Sequence, residues 1–343
     1  MKILVTGGAG YIGSHTAVEL AAAGFDVLII DNFCNSEPFI IDRIREISGA
    51  NIAFENVDCT DKAAVLDYFK RNPGIQAAIH FAAVKAVGES NEKPLLYYEN
   101  NLVSLFNLIH GCEANGVKGI IFSSSATVYG QAAVWPITES SAIQPESPYG
   151  NTKHIAEDVL RDVAKATALK AICLRYFNPI GAHPSARIGE LPSGIPNNLV
   201  PYVTQTAAGL RPKLSVFGND YNTKDGTALR DYIHIVDLAK AHVAALKRML
   251  DDKQKDGYEV FNIGTGTAYS VLEIITTFEK VNGIKLNYEI VGRRPGDVEW
   301  LCADTAFANN ELGWKAELSL DEMLLSAWQW QQGVLSEAAA KNE

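Results

Sequence analysis

The chain has 343 residues, 47% of them hydrophobic and 20% charged, with a formal charge of −10 and a pI near 5.3. This is the composition of a globular protein of one large or two smaller domains, and the acidic balance argues against nucleic acid or an acidic membrane surface as partner. No stretch reaches the ~20 apolar residues of a membrane span. The five cysteines are scattered without a CxxC and the seven histidines show no ligand spacing, so a reduced, cytoplasmic protein with no disulfide framework and no metal is expected.

The first element is a short apolar strand, Lys2–Thr6, followed by Gly7-Gly-Ala-Gly10-Tyr11-Ile12-Gly13 and a helical stretch over 14–23. Strand, glycine turn and helix in this order suit a dinucleotide: Gly7 permits the tight turn, Gly10 lets backbone approach a pyrophosphate, and Gly13 lets helix and strand pack closely. The helix N-terminus then faces the phosphates with free N–H groups, and Tyr11 and Ile12, between the second and third glycines, are counted with the cofactor-binding residues. A second strand, 26–30, ends in Asp31. A carboxylate there can accept hydrogen bonds from an adenosine ribose and would repel a 2′-phosphate, which favours NAD over NADP.

Strands are expected at 52–57, 76–81, 119–122 and 170–174, with helices at 62–71, 95–114 and 149–166 between them. Repeated strand–helix units imply a doubly wound parallel sheet with helices on both faces. Ligands of such sheets sit outside the carboxyl ends of the strands, where Asp31, Asp58, Phe81, Ser123 to Ser125 and Tyr176 fall.

The helix over 149–166 opens with Tyr149-Gly-Asn-Thr-Lys153. Residues four apart share a helix face. A phenol loses its proton only near pH ~10, and an adjacent ammonium favours the phenolate. The pair is therefore expected to act as a general base on a hydroxyl, with Lys153 lowering the Tyr149 pKa.

Beyond Phe177 the alternation lapses. Asn178-Pro179, 195–199 and 216–218 are turn-rich and polar, and Arg230-Asp-Tyr232, Arg293-Arg294 and Asp297 add charge and an aromatic. An arginine pair suits a diphosphate, and asparagines and aspartate suit ribose and uracil edges. A helix over 236–250 and a strand over 260–263 suggest that 230–262 returns to the first domain. The expected division is 1–177 with 230–262 as the dinucleotide-binding domain, and 178–229 with 263–343 as the substrate domain.

The segments GGAGYIG, HFAAVKAVGES, FSSSATVYG, SPYGNTK, RYFNPIGAHPS, IPNNLVPYV and RDYIHIVDLA follow one another in order. Together they resemble the extended short-chain dehydrogenase/reductase family and, within it, the sugar-nucleotide 4-epimerases, over residues 1 to about 332. The resemblance implies a Rossmann-type sheet with a smaller mixed α/β substrate domain. It also implies NAD as cofactor and interconversion of UDP-glucose and UDP-galactose through a transient 4-keto sugar. Tyr149 matches the general acid/base, Lys153 the lysine that holds the nicotinamide ribose, and Ser125 the residue that hydrogen-bonds the sugar 4′-hydroxyl. Asp31 and Asn32 match adenosine-ribose contacts, Asp58 and Cys59 adenine contacts, and Phe81, Ala82, Ala83 and Lys85 the wall beside the nicotinamide and pyrophosphate. Asn100, Ser123 and Tyr176 complete the NAD set. Asn178, Asn198, Leu199, Phe217, Arg230, Arg294 and Asp297 match contacts to the UDP-sugar, with Tyr232 a weaker candidate. A homodimer through helices of the sheet domain is implied as well.

Related dehydratases carry an Asp-Glu pair just after the position of Ser125; Ala126 and Thr127 stand here, so elimination of water lacks its acid and base. By the same resemblance, Leu301 matches the position of the sugar-pocket gate. It leaves two readings open, partial acceptance of N-acetylated UDP-sugars or their exclusion, so a main activity on UDP-N-acetylglucosamine is an alternative. Two other classes are a dinucleotide-sensing regulator, which has no use for Ser125, Tyr149 and Lys153 together, and a net oxidoreductase, which would release reduced cofactor.

Overall fold

The computed structural model describes residues 1–294 and 297–340. Strand β1 (Lys2–Thr6) leads through the glycine turn into α1 (Tyr11–Ala22). Then follow β2 (Asp26–Asp31), α2 (Phe39–Ser48), β3 (Ala53–Asn56), α3 (Lys62–Arg71), β4 (Ile75–His80), α4 (Val87–Glu92), α5 (Pro94–Ala114) and β5 (Gly119–Ser125). The first half closes with α6 (Pro148–Ala166) and β6 (Lys170–Tyr176). Helices α2 and α4 were not expected from the sequence; the other elements of this half fall within a few residues of expectation.

The second half carries β7 (Asn178–Ile180), α7 (Leu199–Ala207), β8 (Leu214–Phe217), β9 (Leu229–His234), α8 (Ile235–Leu250), β10 (Tyr258–Ile263) and β11 (Ala268–Ser270). It ends with α9 (Val271–Asn282), β12 (Tyr288–Val291), β13 (Trp300–Leu301), α10 (Ala306–Leu312) and α11 (Leu320–Ala340).

Seven strands form one parallel sheet in the order β10-β6-β5-β4-β1-β2-β3. The alternation of side chains along each strand buries both faces. Ile3, Val5, Ile29, Ile79 and Leu174 point to a layer formed with α1, α2 and α8. Leu4, Leu28, Ala78, Phe122 and Cys173 point to the opposite layer, with α3, α5 and α6. The strand order reverses between β1 and β4, which opens a crevice at their carboxyl ends.

A separate core of Val200, Val203, Val216, Ile274, Phe278 and Leu324 binds α7, α9 and α11 to the small strands. There β9 pairs with β7, β11 and β13, and β8 pairs in parallel with β12. The stretch 230–262 therefore divides: α8 and β10 join the large sheet and its layer, whereas β9 is a strand of the small one.

Candidate functional site

The glycine turn sits at the β1/β4 reversal. Gly7 has φ +68°, and a Cβ on it would lie 2.7 Å from the Ala82 nitrogen, so the turn touches the backbone leaving β4. A Cβ on Gly13 would lie 2.3 Å from the Gly7 carbonyl oxygen. Gly10 caps α1 without any side-chain hydrogen bond, and a Cβ there would meet only the Gly7 oxygen, at 3.2 Å. What remains is a shallow cradle floored by the first N–H groups of α1, at Tyr11 and Ile12, which have no partner within the helix. A diphosphate fits such a cradle.

Asp31 is buried (8% exposed) and ties β2 to this turn. Its Oδ2 accepts from Ala9 N–H at 3.0 Å, and its Oδ1 from Phe33 N–H at 2.9 Å and the Ser36 hydroxyl at 3.0 Å. The carboxylate keeps acceptor capacity for a ribose. Beside it, Asn32 donates to Asp58 at 3.2 Å. Burial raises the Asp58 pKa, but hydrogen bonds from Thr60 and Asn32 outweigh it and hold the carboxyl below its ordinary value. Cys59 is buried, and its carbonyl accepts from Asn107 at 3.0 Å.

At the β4 end, Phe81, Ala82 and Ala83 are half-buried. The Phe81 ring lies 4.9 Å from His242, and the Tyr176 hydroxyl bonds the same imidazole. His242 Nδ1 is 2.8 Å from the Leu238 carbonyl, so that nitrogen carries the proton and the Tyr176 hydroxyl donates to Nε2. Lys85 reaches Glu190 at 3.3 Å, and Glu190 also accepts from Asn198 at 2.7 Å. Asn100 lies half-buried on α5. Its buried neighbour Asn101, which sequence reasoning missed, holds the loop after β4. It accepts from Val84 N–H at 2.9 Å and donates to the Val84 carbonyl at 3.0 Å and to Thr152 at 3.1 Å.

Tyr149 and Lys153 enter on α6, where Ser147 caps Gly150 N–H at 3.1 Å and Pro148 occupies the first turn. A Cβ on Gly150 would lie 2.9 Å from the Thr127 carbonyl oxygen. Glycine thus lets the start of α6 abut the 126–128 turn and brings Tyr149 to Ser125. The Ser125 hydroxyl accepts from Thr127 N–H at 3.2 Å and from the Thr127 hydroxyl at 2.9 Å. Its own proton is therefore available to another acceptor.

The expected depression of the Tyr149 pKa is not found. Burial pushes the phenol up to about 12, against a smaller opposite pull from the Ser125 hydroxyl. Burial also pulls the Lys153 ammonium down to about 8, ahead of the raising influence of Cys173 and Glu157. Desolvation is the largest influence on each group.

The turn-rich residues converge on one cavity of about 380 Å³. Asn178, Asn198, Leu199, Phe217, Arg230, Arg294 and Asp297 all line it, with Tyr232; Tyr202, Ile195 and Val271 line it too and were not anticipated. Asp297 Oδ1 joins the two cations, 3.4 Å from Arg230 and 2.8 Å from Arg294. The arginine pair is thus Arg230 with Arg294. Arg293, expected to act beside Arg294, instead donates to Asp220 at 2.8 Å and stacks on Tyr221 at 4.0 Å. Asn178 opens β7 two residues after Tyr176, so the cavity adjoins the crevice of the large sheet. Leu301 does not line the cavity; it packs on the cluster of Ala126, Val128 and Phe177, opposite Arg230 in the β9–β13 register.

Among the described residues no group of three or more His, Cys, Asp or Glu side chains could hold a metal ion, and no helix is long and apolar enough to cross a membrane.

The model of the NAD dependent epimerase/dehydratase family matches residues 3–264. The chain is 53% identical over 332 residues to the UDP-glucose 4-epimerase of Bacillus subtilis (strain 168), covering 96% of this chain and 97% of that one. It is 50% identical over 339 residues to the UDP-glucose 4-epimerase of Mus musculus, covering 96% of each. Its fold is similar to that of UDP-glucose-4-epimerase from Stenotrophomonas maltophila with bound NAD and formylated UDP-arabinopyranose. There the TM-score is 0.95 and the identity 45%, over 98% of this chain and 99% of that one. It is also similar to the Bifidobacterium longum enzyme in complex with NAD+ and UDP, with a TM-score of 0.92 and 47% identity over 97% and 98% of the two chains.

Proposed function

The chain belongs to the NAD dependent epimerase/dehydratase family, and from that premise we infer that it is an isomerase interconverting UDP-glucose and UDP-galactose at C4, with NAD as cofactor. The observation that carries this reading is the adjacency of two sites. The cavity lined by Arg230, Arg294, Asp297 and Asn178 suits a nucleoside diphosphate, and it adjoins the crevice that holds Tyr149, Lys153 and Ser125.

The residues at the crevice fit a dinucleotide. The cradle before α1 takes the pyrophosphate, Asp31 and Asn32 take the adenosine ribose, Asp58 and Cys59 flank the adenine, and Phe81, Ala82, Ala83, Lys85, Asn100, Ser123 and Tyr176 border the nicotinamide end. NAD held there would supply the redox chemistry, as acceptor of the C4 hydride and its donor on the opposite face. Tyr149 takes the proton of the 4′-hydroxyl and returns it, the Ser125 hydroxyl aligns that oxygen, and Lys153 supplies a positive charge beside the phenol. Arg230 and Arg294 hold the diphosphate by charge-assisted bonds, and Asn178, Asn198, Leu199, Phe217 and Asp297 hold the rest of the nucleotide. A firmly held nucleotide leaves the sugar to turn about its phosphate linkage.

The same reading assigns 1–177, with α8 and β10, to cofactor binding, and 178–229, with β9 and the residues after β10, to substrate binding. Residues 295–296 and 341–343 lie outside the described ones. It also assigns a homodimer through α5 and α6; Leu95, Leu96, Val103 and Phe106 expose an apolar face on α5 that supports it. Five free thiols support a cytoplasmic setting.

The test is conversion of UDP-galactose by the purified protein, followed by NMR with no added reductant, with UDP-N-acetylgalactosamine in parallel. UDP-glucose is the expected product. No turnover by folded protein loaded with NAD would overturn the assignment, and the parallel arm decides which of the two Leu301 readings holds.

A further inference from the structure

The segment 299–304 is hydrogen-bonded along both edges. On one edge β13 pairs in parallel with β9, Trp300 opposite Leu229 and Leu301 opposite Arg230, and Leu229 N–H donates to the Glu299 carbonyl at 2.9 Å. On the other edge lies a strap, residues 135–137. Trp135 Nε1–H donates to the Trp300 carbonyl at 2.9 Å. Ile137 N–H donates to the Cys302 carbonyl and Asp304 N–H to the Ile137 carbonyl, each at 2.8 Å. The Trp135 and Trp300 rings stack with centroids 5.4 Å apart and planes 14° from parallel. Both indoles remain about a third exposed (36% and 37%), so the pair is a surface latch rather than part of a core.

Successive side chains of an extended segment point to opposite faces. With Trp300 turned outward, Leu301 turns inward, onto Ala126, Val128 and Phe177. Ala126 follows Ser125 directly, and Phe177 separates Tyr176 from Asn178. Leu301 therefore packs behind the site, on residues one step in sequence from Ser125, Tyr176 and Asn178, without lining the nucleotide cavity itself. Its own strand is only two residues long, so its depth depends on what presses from outside.

We propose that Trp135 is a specificity-positioning residue: by stacking on Trp300 and bonding its carbonyl, it fixes the depth of Leu301 and so sets how much bulk the sugar end of the site admits. This rests on the UDP-sugar reading above.

The experiment is a ratio of affinities, read by calorimetry on NAD-loaded protein, for UDP-galactose and UDP-N-acetylgalactosamine. Trp135→Ala shifts the ratio toward the N-acetylated sugar by roughly 10-fold, the effect of about one methylene of added room, and leaves the affinity for UDP within twofold. Trp135→Phe, which keeps a stacking ring, stays near wild type. Leu301→Ala shifts the ratio by itself, and adding Trp135→Ala to it produces no further shift. A Trp135→Ala ratio equal to that of wild type, while near-UV circular dichroism records loss of the indole pair, overturns the proposal; so does an equal, additive shift in the Leu301→Ala background. Wild-type turnover of UDP-galactose is scored separately. Its absence would defeat the epimerase reading, while the affinity ratio still reports on Trp135.

Discussion

Lys153 gives its ammonium to the carbonyl oxygen of Ser123, 2.7 Å away, and stands 5.8 Å from the centre of the Tyr149 ring. The ammonium is buried (3% exposed), over the face of Phe122, and its pKa falls from 10.5 to about 8. Below pH 8 both the folded and the unfolded chain carry the proton, and the cost of burying the charge is constant. Between pH 8 and 10.5 the unfolded chain holds the proton more tightly, so wild-type stability rises with pH across that window. Lys153→Met therefore unfolds at higher urea than wild type at pH 7, by about 1–2 kcal/mol after the lost bond to Ser123 is discounted. That gap closes toward pH 10. The same variant loses at least ~100-fold in kcat. Urea titrations at three pH values, beside a rate assay, check both signs.

Of the two adjacent arginines, only Arg294 lines the cavity; Arg293 is committed to Asp220 and Tyr221. Losing a charge-assisted bond costs about 1.5–3 kcal/mol. Arg294→Ala and Arg230→Ala should each weaken UDP binding by roughly 10- to 100-fold, whereas Arg293→Ala should leave it within about twofold. Calorimetry with UDP separates the three.

Glu157 and Arg175 form a pair exposed by only 3% and 6%, joined at 2.6 and 2.9 Å. Arg175 also donates to Tyr129 at 2.7 Å, and the Ser124 hydroxyl donates to Glu157. The pair therefore locks α6 to β5 and β6 directly beneath Ser125 and Tyr149. Glu157→Ala strands a buried guanidinium and should cost about 3–5 kcal/mol, and Glu157→Leu combined with Arg175→Met should regain most of it. Denaturant midpoints of the single and double variants measure this.

The parallel sheet was legible because its strands are apolar runs broken by glycine and polar turns, and the cofactor turn because Gly7 and Gly13 stand where backbone contacts leave no room for a Cβ and Gly10 keeps the cradle between them open. Residues lining the nucleotide cavity were legible only through the resemblance, since positions from 178 to 297 share no periodicity and meet only in space. Three features were out of reach. Asn100 and Asn101 are indistinguishable in sequence, yet a step of one residue on α5 decides which amide is buried against Val84 and Thr152. The partners Glu157 and Arg175 sit on different elements, with nothing between them to announce the pair. The direction of the Tyr149 shift depends on how deeply both groups of the Tyr-Lys pair are buried, which spacing alone does not convey.

The measurement that tests the account most directly follows the C4 hydrogen. UDP-galactose carrying deuterium at C4 is converted in ordinary water by the wild-type protein, and the UDP-glucose formed is read by NMR and mass spectrometry. If Tyr149 and Ser125 move only the hydroxyl proton and the C4 hydrogen never leaves the site, the product keeps its deuterium and no reduced cofactor appears in solution. Tyr149→Phe should slow the conversion at least ~100-fold. Loss of the deuterium to water, or release of reduced cofactor in proportion to product, would contradict the mechanism.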